Sequence, residues 1–406
     1  MIEQLTSHTA PAFRLAVDGR DITPKVNNRL LRLTLTDNRG IEADQLDLTL
    51  HDHDGLLAIP PRRAVIDLWL GWQGNALVYK GSFTVDEVEH SGAPDVLMIR
   101  ARSADMRAGL TRKRERSWHQ TTLGEIIASV AAAYSLIPVV DRVLGQIPVP
   151  HLDQVDESDA NLLTRLGTDH DAIATVKAGH LLLLPVGASK TASGVNLPHI
   201  TLTRRDGDSH RYLVADRDAY TGVRAYYYDP NSAERLEAII GTEDNIKTLR
   251  HVYANEQSAL QAARAEWRRL QRGLATLSYT IARGRPDLIP EMTFSLVGIK
   301  QQITEVVWLC ARLTHELSDS GYINRLELEN QLAEDEDLAA LVEGGYTGVL
   351  AWYRDKDGAQ KKITQGDQAN PKRLTHLYAS KGSAERAVER EFERLEVGPG
   401  DSAPNA

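Results

Sequence analysis

Alternation is the feature that most limits what this chain can become. Leu31, Leu33 and Leu35 alternate with Arg32, Thr34 and Thr36, and Leu46, Leu48 and Leu50 alternate with Asp47, Thr49 and His51. Ala64, Ile66, Leu68 and Leu70 repeat the spacing, as do Leu97, Ile99 and Ala101. A period of two buries one face and wets the other, which marks antiparallel strands. Turn signals at Asp18-Gly19, Asn38-Arg39-Gly40, Asp54-Gly55 and Gly92-Ala93-Pro94 separate the runs. Short strands at this spacing predict a barrel or sandwich over residues 1–108.

The period changes near Arg112. Thr122 followed by Glu125 fits a capping box, and Leu123, Ile126, Ile127, Val130 and Tyr134 recur at helical spacing. This helix should stop before Pro138. A second helix is expected to start near Asp156-Glu157-Ser158-Asp159, where short polar side chains can bond free first-turn amides. Its stripe is Leu162, Leu163 and Leu166. Residues 109–198 therefore read as an α+β segment.

Strand character returns over 199–330, with a helix at 255–272 inside it and Gly273 in the place of a C-cap glycine. Leu277, Tyr279 and Ile281 alternate again, and Val306–Arg312 and Tyr322–Glu329 read as further strands. An acidic and glycine-bearing linker covers 331–346. The C-terminal stretch, 347–406, partly repeats 221–273. TGVLAWYRD at 347–355 matches TGVRAYYYD at 221–229 in six of nine positions, and residues 378–398 match 253–273 in nine of 21. The offsets, 126 and 125, are nearly equal, so a strand, a loop and a helix are used twice. The second copy lacks a counterpart to the strand at 274–282, which suggests that a neighbouring chain supplies it.

Composition narrows the function. The chain has 47 Lys+Arg against 56 Asp+Glu, a net charge of −9, which argues against a general nucleic-acid coat. One cysteine, Cys310, excludes an intrachain disulfide framework and a multi-cysteine zinc site. Aromatics at 6% disfavour a stacking platform for single strands. No run approaches the ~20 apolar residues needed to span a bilayer, so no membrane insertion is expected. Met1 to Phe13 lacks a signal-peptide pattern, so folding in a reducing cytoplasm is expected.

Candidate chemistry is sparse. His51-Asp52-His53-Asp54 is a dense His/Asp cluster, yet the following Gly55 favours a solvated turn over a metal site. His170, between Asp169 and Asp171, reads as a helix C-terminus. His315-Glu316 lacks the HExxH spacing. Asp156, Glu157 and Asp159 are expected to cap a helix rather than form a hydrolytic pair. Cys310 reads as a small buried apolar group. The basic stretch Arg112-Lys113-Arg114-Glu115-Arg116 with Trp118 and His119 suggests a protein contact or a solvated loop, with no base-reading geometry. No catalytic, cofactor or metal residue is assigned.

Several stretches together resemble the late control protein D family of contractile-tailed phages. They are Asp44-Gln45-Leu46, Trp69-Leu70-Gly71-Trp72, residues 81–105, and Ser117-Trp118 ahead of Thr122-Leu123. The most specific runs from Gln154 through Glu157, Ser158 and Asp159 to Leu163, Arg165 and Leu166. Gly284-Arg285-Pro286, then Trp308 and His315, complete the order, which covers about residues 12–330. The typical phenylalanine of the family's ESDxxFL pattern is Leu162 here. The resemblance gives these motif residues a structural role.

The resemblance also implies an α+β, mainly β chain. Two antiparallel, tail-tube-like β-barrels (1–108 and 199–330) would flank the α+β segment, with a C-terminal strand-and-helix extension. Such chains form homotrimers whose six barrels adapt a six-fold tail tube to a three-fold spike and let DNA pass. Implied partners are the spike, tube and baseplate proteins, with the tape measure protein as a further contact, in a virion assembled in the host cytoplasm. Type VI secretion hub-spike proteins look similar but carry a β-helical needle. This chain has no such repetitive tail, so its spike should be a separate protein. No sequence repeat links the two barrels. A trimer would carry −27, which suggests a negative bore that repels DNA. The alternative reading is a tail-associated cell-wall hydrolase.

Overall fold

The alternating runs become strands whose apolar side chains share one face. The structure, a computed structural model, describes residues 9–103, 109–177, 179–191, 193–214, 220–229, 234–242, 244–332, 348–354, 360–366, 371–378 and 380–396. Two compact units divide the chain at Leu332/Ala333. The first opens with β1 (Pro11–Val17), β2 (Arg20–Asp21), α1 (Thr23–Val26), β3 (Leu30–Asn38), β4 (Gln45–His51), β5 (Val65–Trp72), β6 (Val78–Ser91) and β7 (Val96–Ser103). Leu33, Leu35, Leu46, Leu48 and Leu50 are all buried in one core with Ile66, Leu68, Leu70 and Phe83. Each such side chain contributes about 1.5–3 kcal/mol by leaving water.

The α+β segment comes next, with β8 (Lys113–Thr122), α2 (Leu123–Ala133), β9 (Ile137–Val140), α3 (Arg142–Gly145), β10 (Pro148–Ser158), α4 (Asp159–Asp169), β11 (Ala172–Lys177) and β12 (His180–Pro185). The capping box is present: Thr122 accepts from Glu125 N–H and Glu125 reaches back to Thr122 N–H. α2 and α4 pack against the β11-β12-β9 sheet in a core of their own.

Beyond it lie β13 (His199–Thr203) and β14 (Gly207–Val214), then β15 (Gly222–Asp229), β16 (Glu234–Gly241), β17 (Ile246–Tyr253) and α5 (Glu256–Gly273). The strand and helix expected inside the second barrel instead form a separate module, with sheet order β16-β15-β17 and its own small core. Two strand-bearing pieces can be adjacent in sequence and still close separate cores, which alternation alone does not reveal. α5 also runs through Gly273, with Leu274 right-handed after it, so no glycine cap ends it. The barrel resumes with β18 (Ala275–Ile281), β19 (Thr293–Val297), α6 (Gln301–Thr304), β20 (Trp308–Ser318) and β21 (Gly321–Asn330).

Both large halves belong to one 13-stranded sheet. β20 is the shared strand. One of its edges pairs with β21 throughout; the other pairs with β19 at Trp308–Leu309 and with β3 from Arg312 to Ser318. A bulge between Cys310 and Arg312 marks the handover.

The halves also share a strand order that no sequence match announces. The first reads β1-β5-β6-β7-β4-β3, the second β13-β19-β20-β21-β18-β14. Bulges recur at matching places. Leu30/Arg32 corresponds to Gly207/Ser209, and Val85/Glu87 to Cys310/Arg312. Inward residues match too, Leu46, Leu48 and Leu50 against Leu277, Tyr279 and Ile281. One difference stands: β1 runs antiparallel to β5, whereas β13 runs parallel to β19.

The second unit holds β22 (Gly348–Arg354), β23 (Gln360–Gly366), β24 (Pro371–Tyr378) and α7 (Lys381–Glu396). Its order β23-β22-β24, its mix of one antiparallel and one parallel pair, and its bulge at Leu350/Trp352 copy β16-β15-β17 and the bulge at Arg224/Tyr226. Gly241 and its counterpart Gly366 both sit at positive φ, +88° and +79°. The copy is thus three strands and a helix, like the original. The strand at 274–282 belongs to the large sheet, so nothing is missing from the C-terminal copy. Most of the acidic linker, from residue 333 on, lies outside the described residues.

Candidate functional site

The residues singled out by the sequence gather at two buried joints. The first holds the α+β segment together. Ser158 caps α4 by accepting from Asn161 N–H. Asp156, Glu157 and Asp159 do not cap, contrary to expectation. Asp156 pairs with Lys113 at 2.7 Å on the surface, and Glu157 takes Arg165 in a two-point contact at 3.1 and 2.7 Å. Asp159 is fully buried and receives Arg116, Arg114 at 3.2 Å, Tyr134 O–H at 2.6 Å and Gln154 Nε2 at 2.9 Å. The basic stretch is therefore used within the chain: β8 aligns Arg114 and Arg116 opposite β10, and Arg116 also lies over Trp118. Leu163 and Leu166 fill the core beneath. A buried carboxylate with this many donors holds its charge only because they are present.

The second joint locks the two large halves. Trp72 Nε1–H donates to Gly284 O at 2.8 Å, and Lys80 Nζ donates to Pro286 O and Leu288 O at 3.2 and 3.1 Å. From the other half, Gly284 N–H donates to Tyr322 O at 2.6 Å, and Arg285 N–H donates to Asn324 Oδ1. A Cβ on Gly284 would lie 2.6 Å from the Tyr322 ring, so only glycine fits. His315 is fully buried beside them. Its Nδ1 lies 2.7 Å from Tyr322 Oη and 2.8 Å from Asn324 Nδ2, and burial holds its pKa well below the usual histidine value. It is a neutral hydrogen-bond post. Trp308 lies in the second core and donates to Ile303 O at 3.0 Å. Arg285 pairs outward with Asp287.

Sequence reasoning missed two further ionic clusters, because their members are far apart in the chain. Arg272, 4% exposed, meets Asp171 at the end of α4 and Glu329 on β21 at 3.3 Å. Arg39 joins Glu329 and lies 3.6 Å from Glu291, which also accepts from Gly187 N–H at 2.8 Å. Burial outweighs the arginine and pushes Glu291 up to about 7. In the second cluster Lys177 meets Asp37 at 2.9 Å and Asp44. Burial and the neighbouring Asp37 raise Asp44 to about 6, while the two carboxylates hold the Lys177 amine above its ordinary value. Together these clusters pin the segment and the inserted module to the sheet.

The remaining candidates are structural. Asp54 takes Arg29 in a two-point contact, Asp52 accepts from Leu57 N–H, and His51 accepts from His53 N–H. His170 is the C-cap of α4, and burial lowers it to about 4. Cys310 is buried, and desolvation pushes its thiol up. Among the described residues no group of three His, Cys, Asp or Glu side chains could hold a metal ion.

What stays open is edge and surface. Among the described residues β14 pairs with β18 alone, and it exposes Leu213 (47%) and Val214 (57%). Among the described residues β6 beyond its bulge pairs with β7 alone, which leaves the other edge of Glu87–Ser91 without a strand partner there. An apolar, unprotected edge is an invitation to pair.

The geometry of a β-rich body built from joints and open edges agrees with the known proteins it matches. A family profile described as phage tail baseplate hub (GPD) matches residues 41–321. The probable baseplate hub protein of Escherichia phage 186 is 46% identical over 368 residues, covering 80% of this chain and 95% of that protein. Its counterpart in Escherichia phage P2 is 43% identical over 380 residues, covering 83% and 98%. The 43 kDa tail protein of prophage MuSo2 from Shewanella oneidensis shares the fold, with a TM-score of 0.59 at 16% identity, over 79% of this chain and 98% of that one. The chain belongs to the phage tail baseplate hub family.

Proposed function

We propose that this hub works as a homotrimeric ring of six barrels, the adapter between a six-fold tail tube and a three-fold spike. The observation that carries the reading is the repeated strand order. Within one chain, β20 of the second half joins β3 of the first. By correspondence, β6 stands where β20 stands and β14 where β3 stands, and both have an open edge. Repeating the internal joint between chains pairs β6 of one copy with β14 of the next. The register carries over from Leu313↔Asp37 and His315↔Leu35, which puts Val88 opposite Val214 and His90 opposite Tyr212.

Such a head-to-tail joint closes only if the rotation closes. Eight strands per chain in three chains, at about 4.8 Å each, enclose a bore of about 37 Å between backbones before tilt widens it. β1, β5 and β19 close the cores against these strands, and with packed layers about 10 Å apart they would narrow the bore to about 17 Å from inside, so they, with β13, face outward. Spike, tube and baseplate proteins then contact the ends and rim, with the tape measure protein as a further contact. A single buried cysteine suits assembly in a reducing host cytoplasm.

Solution mass tests the ring. The full chain should sediment as a trimer, and Val214→Asp should sediment as a monomer with an unchanged circular dichroism spectrum, because Val214 is 57% exposed in the single chain. A wild-type monomer, or a Val214→Asp trimer, would remove the joint.

A further inference from the structure

The run β14-β18-β21-β20-β3-β4-β7-β6 has two faces. One carries both large cores. The other is polar, and its charges are tied across strands. In the first half Arg100 lies 3.8 Å from Asp47 and 2.9 Å from Glu87, and Arg102 lies 3.1 Å from Asp86. At the β3–β20 joint Glu316 takes Arg32 at 3.4 Å and Arg325 at 3.1 Å. Arg312 stands 3.7 Å from Glu327. In these pairs the arginines and carboxylates are equal in number.

The pattern is repeated with its signs exchanged. Arg100 on β7 and Glu87 on β6 occupy the places that Glu327 on β21 and Arg312 on β20 occupy in the other half. Two more charges lie on this face: Glu89 on the open edge of β6, close enough to Arg100 to help raise its pKa, and Arg211 on the open edge of β14. In the joint proposed above they are diagonal neighbours, in the same sense as Glu316 and Arg32 inside the chain.

We infer that this face is the wall of a DNA conduit whose charge is cancelled locally, so that a passing duplex is neither held nor repelled; the inference rests on the ring reading. Duplex DNA carries about one negative charge per 1.7 Å, and free arginines would bind it by releasing counterions. A wall of uncompensated carboxylates would raise a barrier instead. Pairs 3–4 Å apart cancel each other well within the Debye length of about 8 Å at physiological salt. The negative bore expected from the net charge of −9 is therefore not what this face presents.

Freeing the arginines tests the inference. The full chain is compared with a variant carrying Asp47→Asn, Glu87→Gln, Glu316→Gln and Glu327→Gln. A control variant makes the same charge change on exposed residues off this face: Glu234→Gln, Glu256→Gln, Glu305→Gln and Glu389→Gln. Fluorescence anisotropy with a linear 40-base-pair duplex is the readout. Wild type and control should not bind at about 50 mM salt. The wall variant should bind, and its affinity should fall at least tenfold by about 200 mM. Asp47→Asn with Glu87→Gln, a half-buried and an exposed position beside Arg100, should bind more weakly with the same salt trend, which covers a folding failure of the larger variant. Binding by wild type, equal binding by control and wall variants, or no binding by either folded wall variant overturns the inference. Sedimentation of the same samples reports the ring separately: a monomer sinks the ring, whereas a trimer with equal control and wall binding sinks only the wall.

Discussion

Replacing Asp159 by Asn is the sharpest test of the α+β segment's architecture. The side chain is nearly isosteric, so packing is kept and only the charge is removed. Arg116 and Arg114 then lose their shared counter-ion, and Tyr134 O–H keeps only Gly109 O as an acceptor of comparable quality. Breaking a buried pair from one side costs about 3–5 kcal/mol when the remaining charge is sealed in. Here the arginine side chains are 25% and 37% exposed, so water recovers part of that. A cost of about 2–3 kcal/mol is expected. Hydrogen exchange of the amides in α4 and of the β8–β10 ladder should then speed up roughly 30- to 150-fold, while the β4–β7 ladder is unchanged. Joint replacement of Asp159, Arg114 and Arg116 by Leu, Met and Met should recover most of the loss, because no uncompensated charge remains. A change under about 0.5 kcal/mol in the single variant, or no recovery in the triple variant, would refute the reasoning.

Gly284→Ala should destabilise the joint between the halves by about 1–3 kcal/mol through the clash with the Tyr322 ring, read as faster proteolytic nicking at residues 283–290. Glu291 holds a proton in the fold up to about pH 7 but only to about 4.5 when unfolded, so the fold loses stability through it as pH rises across that window. His170, lowered to about 4, works oppositely, gaining stability as pH rises from about 4 to 6.5, so the two offset. Denaturant midpoints of Glu291→Gln should therefore rise relative to wild type between pH 4.5 and 7; parallel curves would count against the buried carboxylate. Arg268→Glu with Arg272→Val, the residues that the C-terminal copy carries, should free the inserted module from α4 and β21. Cleavage should appear at residues 215–220 while the module's own exchange protection persists, and unchanged resistance would sink the docking role.

The sequence announced individual strands better than it announced their partners. Alternation placed Leu46, Leu48 and Leu50 on one face, and the structure buries all three. The Thr122 and Ser158 caps are local, set within three residues, and both are present. The ionic joints are not local. Arg116 and Asp159 are 43 positions apart, and Lys80 is 206 from Pro286, so no spacing rule reaches them. The matching strand order of the halves is invisible for a different reason. A barrel strand needs an apolar residue at every second position and little else. Leu48 and Tyr279 serve the same place with no shared chemistry beyond burial, and Arg100 and Glu327 share another place with opposite charge.

The small module shows the converse, and it separates what builds a fold from what seats it. Within the first copy, Glu266 bridges Lys247 at 2.8 Å and Arg269 at 2.5 Å, tying helix to sheet. The second copy has Lys372, Glu391 and Arg394 at those three places. The residues that seat the first copy on the body fared differently. Arg268 and Arg272 reach Asp171 and Glu329, and Ala265 is buried one helical turn before them. Their counterparts are Arg390, Glu393 and Val397. A glutamate in place of Arg268 would meet Asp171 as a like charge, and an arginine in place of Ala265 would not fit that buried position. In sequence the duplicated helix therefore has the charge types that close the first module and lacks those that dock it on the hub body, so the C-terminal copy is not a substitute for the first at that seat.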